Sequence, residues 1–354
     1  VVAGRVVAGG PFLALGQLVV TSVSRRRRCP FPGEHVVHGH LGGGGVGVGG
    51  GFVAGEEEDH DRNICALVLR DGARIAVVSP SGISDPARLD RGLAVARSWG
   101  YDLVELPHVC GANRYIAGTD AERLADLATA FSGDFDAVWA ARGGYGLSRL
   151  VMNLPWSRLA RVPFIGFSDG TVLLNALVSM GRPAVHGPVL HALADHNNEA
   201  TRSALRAVLA GAAARLSGSW LLGEPPVDEA VVAGGNLCSL ASTCGTPLQF
   251  DATGKIVLLE DLGEPPYKLD RLLIQCRDSG CFDGAVAFAL GDFLDAAPPE
   301  GANWTLDEVF LDVLGPLGVP ILKGIPVGHG RYNHALPLGT PARFEGAVLV
   351  VEPA

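Results

Sequence analysis

The chain reads as an α/β protein, with an N-terminal parallel-sheet domain followed by a smaller mixed α/β domain. Three observations predict this. From Ala73 to Met180 short apolar runs alternate with segments of helical spacing. Beyond about Ala230 helices are fewer, and apolar runs are separated by many Gly and Pro turns. Of the 354 residues 48% are hydrophobic and 18% charged, so a large core is within reach and general disorder is excluded.

The elements follow in order. Arg74-Ile75-Ala76-Val77-Val78 is a short buried-type strand ending in the turn Ser79-Pro80-Ser81-Gly82. Pro86 to Trp99 has helical spacing, with the proline where a first turn accepts it. Asp102 to Leu106 is a second strand, and Asp120 to Phe131 a helix capped by Thr119 or Asp120. Ala137 to Ala140 is a third strand, Pro163 to Phe167 a fourth, and Val172 to Met180 a helix. This alternation predicts a flavodoxin/Rossmann-like sheet over 73–195, with ligands at the carboxyl ends of its strands. The pattern loosens after Asp195, and Glu224-Pro225-Pro226 marks 196–229 as a linker. The second domain, 230–354, has strands at Ile256–Leu259, Gly284–Leu290 and Ala347–Val351, and helices at Lys268–Arg277 and Leu306–Leu314.

Residues 1–70 are of another character. A glycine tract (42–51, broken by two valines), the basic run Arg25–Arg28 and the acidic run Glu56–Asp59 predict a disordered leader. Val6 to Val23 is mostly apolar and precedes the arginines, but Gly9, Gly10, Pro11, Gly16 and Gln17 interrupt it and no small-residue cleavage site follows. A signal anchor is therefore the weaker reading, and a cytoplasmic protein without membrane attachment is expected. A net charge of −9 argues against a nucleic-acid partner. The seven cysteines are odd in number and form no C-x-x-C pair. They are expected as reduced thiols, not as a disulfide framework or a zinc site.

Four segments have the residue types of a reactive site. In Pro163-Phe164-Ile165-Gly166-Phe167-Ser168-Asp169-Gly170-Thr171 an apolar strand meets a helix at a serine. Such a turn holds a hydroxyl clear of the backbone, beside N–H groups that favour negative charge. The same residues also suit an ordinary helix N-cap. Ala141-Arg142-Gly143-Gly144-Tyr145-Gly146 follows the third strand and leaves backbone N–H groups free for an anion, or is simply a tight turn. Glu260 closes the apolar run from Ile256, where a carboxylate is costly unless paired or solvated. His329 lies between Gly328 and Gly330, which lets another segment approach it. A serine needs a base, and the base an orienting carboxylate, so Ser168, Glu260 and His329 would meet in the cleft between the two domains.

These residues resemble the LD-carboxypeptidase family, serine peptidases of the muramoyltetrapeptide carboxypeptidase type. Five blocks carry the resemblance: Arg142-Gly143-Gly144-Tyr145-Gly146, Gly166-Phe167-Ser168-Asp169, Gly234-Gly235-Asn236-Leu237, Leu259-Glu260-Asp261 through Asp270-Arg271, and Gly328-His329 with Leu336-Pro337-Leu338-Gly339. It spans Ala73 to the C-terminus. It implies Ser168 as nucleophile, His329 as general base and acid, and Glu260 as orienter. The backbone N–H groups of Asp169 and Gly144 would form the oxyanion hole. It implies a homodimer, no metal and no cofactor, and cleavage of the L–D bond that releases D-Ala from a peptidoglycan tetrapeptide. A free substrate carboxylate must also be bound, for which Arg142 and Asn236 are the candidates.

Three other readings compete. Gly166-Phe167-Ser168-Asp169-Gly170 also fits the G-x-S-x-G elbow of α/β-hydrolases, an esterase reading that the chain beyond the elbow disfavours. Relatives that cleave peptidyl-nucleotides of the microcin C kind would need aromatic residues for base stacking, and Trp304 and Tyr332 are available. A non-catalytic two-domain binding protein is disfavoured because all three reactive residues are present.

Overall fold

The computed structural model describes residues 68–226 and 228–353. The glycine-rich leader and the apolar stretch at 6–23 lie outside the described residues, apart from the leader's last three positions. No helix among the described residues is long and apolar enough to cross a membrane.

The first lobe is built as the alternation predicts. Strands β1 (Arg74–Val78), β2 (Asp102–Glu105), β3 (Ala137–Ala140), β4 (Phe164–Gly166) and β5 (Ala184–His186) pair in parallel in the order β2-β1-β3-β4-β5. Every residue of β3, β4 and β5 is buried, as strands covered on both faces must be. The covering helices are α1 (Pro86–Arg97), α2 (Asp120–Ala130), α3 (Thr171–Ser179), α4 (Leu190–Asp195) and α5 (Glu199–Leu209). Asp85 caps α1, and Thr119 caps α2 through a reciprocal pair with Glu122.

The 196–229 segment corrects the linker expectation. It carries α5, capped by Asn198, and two short strands, β6 (Ala214–Ser217) and β7 (Ser219–Leu222). Those strands form the two edges of the second sheet. Each has four residues between glycine turns, too few for a period to register.

The second sheet has eight strands. Its centre is parallel: β8 (Ala230–Asn236), β9 (Lys255–Leu262), β10 (Ala287–Leu294) and β11 (Ile321–Lys323). Helices α6 (Leu237–Ala241), α7 (Pro266–Asp278) and α8 (Leu306–Leu314) pack on it, with Leu269, Leu273, Phe288, Phe310 and Val313 among the buried side chains. The chain then crosses back. β12 (Leu336–Leu338) pairs antiparallel with β5 as the edge of the first sheet, where Pro337 is tolerated. β13 (Pro341–Glu345) and β14 (Val348–Val351) return to the second sheet.

One close approach gives a test of the first lobe. A Cβ built on Gly92 of α1 would lie 2.0 Å from the Leu190 carbonyl oxygen at the start of α4. In an open helix Gly→Ala stabilises by about 1 kcal/mol. Here Gly92→Ala is expected to destabilise by about 1–3 kcal/mol, because helix and neighbour must part. Denaturant unfolding reads the sign directly.

Candidate active site

The site forms at the carboxyl ends of β1, β3 and β4, around the point where strand order reverses. After β4, Phe167 is extended, and Ser168 then adopts φ +61. That left-handed conformation costs a non-glycine residue about 1–2 kcal/mol. The tight turn Ser168–Gly170 follows and runs into α3. Its first bond goes from the Gly170 N–H to the Phe167 carbonyl, so the N–H groups of Ser168 and Asp169 stand ahead of the ladder. The hydroxyl of Ser168 does not cap the helix; it faces His329.

Three expected side chains come together. His329 Nε2 lies 3.0 Å from Ser168 Oγ, and its Nδ1 lies 2.7 Å from Glu260 Oε2. An ionised Glu260 accepts from Nδ1–H, which fixes the tautomer and leaves Nε2 to accept from the serine. Glu260 is fully buried on β9, so the solvated-strand-end alternative fails. Its neighbour Asp261 turns the other way. There it accepts from the Asn236 amide (3.0 Å) and from the N–H groups of Cys238 (2.9 Å) and Leu262 (2.8 Å).

Burial depresses the pKa of His329, but the hydrogen bond and charge of Glu260, with the charges of Asp261 and Asp292, outweigh it. The net shift is upward from the ordinary value near 6.5. His186, at the end of β5, has the opposite fate. It is fully buried, and desolvation lowers its pKa to about 4, so it is neutral. The ring of Phe167 contacts both imidazoles, with centroids 4.8 Å from His329 and 5.9 Å from His186.

The loop carrying His329 is held largely from the first lobe. His196 Nε2 donates to the carbonyls of His329 (2.8 Å) and Gly330 (3.1 Å). Gly328 N–H donates to Asn333 Oδ1 (3.2 Å), and Asn333 N–H to Thr201 Oγ1 (3.1 Å).

The glycine turn abuts the serine. A Cβ on Gly143 would sit 3.0 Å from Ser168 Cβ and 3.2 Å from its Oγ, so a side chain there would crowd the hydroxyl. Gly144 is exposed beside it. The side chain of Asp169 has a role that the sequence did not reveal. Its buried carboxylate accepts from Ser81 Oγ (2.5 Å) and Leu147 N–H (2.9 Å), lacing together the turns after β1, β3 and β4. Burial raises its pKa despite these bonds. A lone acid after a serine carries no signal for that.

The two carboxylate candidates part company. Arg142 is exposed and gives one guanidinium nitrogen to the Ile83 carbonyl, which leaves further donors free. Asn236 is instead the cap of α6. Its carbonyl accepts from the Ser239 N–H (3.0 Å) and hydroxyl (2.9 Å), and its amide donates to Asp261. Both ends of this buried amide are thus engaged within the protein.

Comparison with known proteins agrees with this architecture. Residues 75–187 match the LD-carboxypeptidase N-terminal domain, and residues 229–344 the LD-carboxypeptidase C-terminal domain. The murein tetrapeptide carboxypeptidase of Pseudomonas aeruginosa is 37% identical over 287 residues, covering 77% of this chain and 93% of the relative. The crystal structure of muramoyltetrapeptide carboxypeptidase from Oxalobacter formigenes superimposes with a TM-score of 0.71 at 27% identity, covering 79% of this chain and 98% of that one. The microcin C7 self immunity protein MccF shares the fold at a TM-score of 0.70 and 21% identity, over 81% of this chain and 98% of its own. With both domain models matched in order over a common architecture, the chain belongs to the LD-carboxypeptidase family of peptidases.

Proposed function

We propose that this protein is a serine-type L,D-carboxypeptidase, which removes terminal D-Ala from peptidoglycan tetrapeptides through an acyl-enzyme. The observation that carries this reading is the continuous relay from Ser168 Oγ through His329 to Glu260, at 3.0 and 2.7 Å, on a serine held at φ +61. The substrate class rests on the name of the Pseudomonas aeruginosa relative. The unpaired thiols among the described residues accord with a reducing, cytoplasmic setting.

In this mechanism His329 Nε2 takes the hydroxyl proton as Ser168 Oγ attacks the carbonyl of the L–D bond. Glu260 stabilises the imidazolium that forms. The N–H groups of Asp169 and Gly144, with the start of α3, receive the developing oxyanion. His329 then protonates the departing D-Ala amine, and water attacks the acyl-enzyme with the same base. Arg142, at the rim of the glycine turn, takes the terminal carboxylate of the substrate.

The first test is product analysis by mass spectrometry after incubation with a mixed muropeptide pool. Loss of one alanine from tetrapeptides is expected; cleavage of peptidyl-nucleotides with intact tetrapeptides would replace the substrate assignment. Ser168→Ala should lower kcat by about 10⁵–10⁶-fold, and Glu260→Gln by less, about 10⁴-fold, because an amide oxygen can still accept one hydrogen bond. Circular dichroism should be unchanged for the serine variant, and retained turnover in it would remove Ser168 from the chemistry.

The pH profile follows from His329. Only the neutral imidazole can take the serine proton, so kcat/KM should rise with pH through a midpoint above 6.5, the direction in which its surroundings shift it. Removing the Glu260 charge leaves burial dominant, so the midpoint in Glu260→Gln should move down; an unmoved midpoint would mean that another group titrates. Arg142→Ala should raise KM about 10–100-fold with a smaller change in kcat, since the carboxylate contact is made in ground and transition states alike.

A further inference from the structure

Cys244, Cys276 and Cys281 come from three places: the turn after α6, the last turn of α7, and the turn that follows it. The Sγ atoms of Cys244 and Cys281 are 3.3 Å apart, those of Cys244 and Cys276 4.0 Å, and all three lie within 4.8 Å of one another. Cys276 and Cys281 are fully buried, whereas Cys244 is part-exposed. A single buried thiol packs as a small hydrophobe and needs no further account. Three converging sulfurs are a different matter. The point equidistant from them lies no more than about 2.4 Å from each, close to the ~2.3 Å of a zinc–thiolate bond.

We propose that Cys244, Cys276 and Cys281 form a structural three-thiolate site for a thiophilic d¹⁰ cation, with zinc the favoured ion. Three sulfur donors select soft ions and reject magnesium or calcium. As each metal–sulfur bond forms, the thiol proton passes to solvent. Zn²⁺ with three thiolates leaves a net charge of −1, whereas Cu⁺ would leave −2, the costlier charge to bury. A fourth ligand is at hand in the Ser279 hydroxyl, 3.3 Å from Cys281 Sγ, or in water reaching the exposed side of Cys244. The ion would staple α6 to α7. The Ser239 hydroxyl of α6 lies 3.4 Å from the Ser168 carbonyl, so the staple would stiffen the support behind the nucleophile without joining the chemistry.

The test uses the full chain, reduced and then given one equivalent of Zn²⁺. After gel filtration against a competing chelator, one zinc per chain should remain. Cys244 should resist alkylation only when zinc is present, while exposed Cys110 reacts in both cases. Replacing zinc by Co²⁺ should give a thiolate-to-cobalt charge-transfer band. Cys244→Ser, conservative at a part-exposed position, should keep the far-ultraviolet circular dichroism, lose that band, and hold zinc on the order of a hundredfold more weakly. Retention of Cu⁺ but not zinc would keep the site and change the ion. Equal zinc retention in Cys244→Ser and wild type, or a Cys244–Cys281 disulfide that forms in air at the same rate with saturating zinc, would overturn the proposal.

Discussion

Everything at the site depends on a polar seam between α3 and β8. Asn175 of α3 exchanges two hydrogen bonds with the backbone of Gly234, at 2.9 and 3.0 Å. Thr171 accepts from the Asn236 N–H at 3.0 Å. The strand that makes these bonds lies beside β9, in a register that puts Asn236 opposite Glu260. Thus one seam fixes the start of α3, and with it Ser168, relative to the strand bearing Glu260. The 3.0 Å contact between Ser168 and His329 follows from that alignment, since His329 is held on Glu260. Broken independently, the individual bonds are worth about 1 kcal/mol each. Their value lies in register, because an ångström of slip would part His329 from the Ser168 hydroxyl.

The electrostatics have a single logic. A glutamate with no exposed surface is costly unless a partner shares its charge. His329 is that partner, and its pKa rises because Glu260 and two nearby aspartates surround it with negative charge. His186 is buried more deeply than His329 and lacks a hydrogen-bond partner on either ring nitrogen among the described residues, and it stays neutral. Two histidines close to one carboxylate therefore take different states. The one that bonds the acid has its charged form favoured, and the other keeps the surroundings free of a competing positive charge. The same rule explains why Asp169 and Asp261 are buried with several donors each: they brace turns and caps and hold no relay.

Much of this was legible in the sequence, for identifiable reasons. Arg74–Val78, Ala137–Ala140 and Leu306–Leu314 have the bounds their patterns predict, because each is a continuous apolar or amphipathic run with turn residues at its ends. Ser168, Glu260 and His329 could be singled out as candidates because strand ends and glycine turns are where side chains reach a ligand. What could not be read has one physical cause: it rests on partners remote in sequence. β6 and β7 are strands only because the second sheet offers them edges. Leu336-Pro337-Leu338 was visible as a motif, but nothing local says that it crosses to β5. Asn236 is a carboxylate candidate because it stands in the Gly234-Gly235-Asn236-Leu237 block, and nothing in that block shows a helix start. In the fold it caps a helix whose five residues are too few to show a period.

The crossings also bear on how the site works. A pair of domains joined by one linker would hinge, and the relay would form only on closure. Here the chain passes from the first lobe to the second at α5–β6, returns at β12 and leaves again at β13. His196 and Thr201 of the first lobe hold the loop of His329, a residue that lies between two strands of different sheets. Opening the lobes would have to break β12 from β5 and expose the seam at Asn175 and Thr171. The strained φ of Ser168 points the same way, since such a conformation persists only where neighbours over-determine it. Contacts from both lobes therefore hold Ser168, His329 and Glu260 in one arrangement.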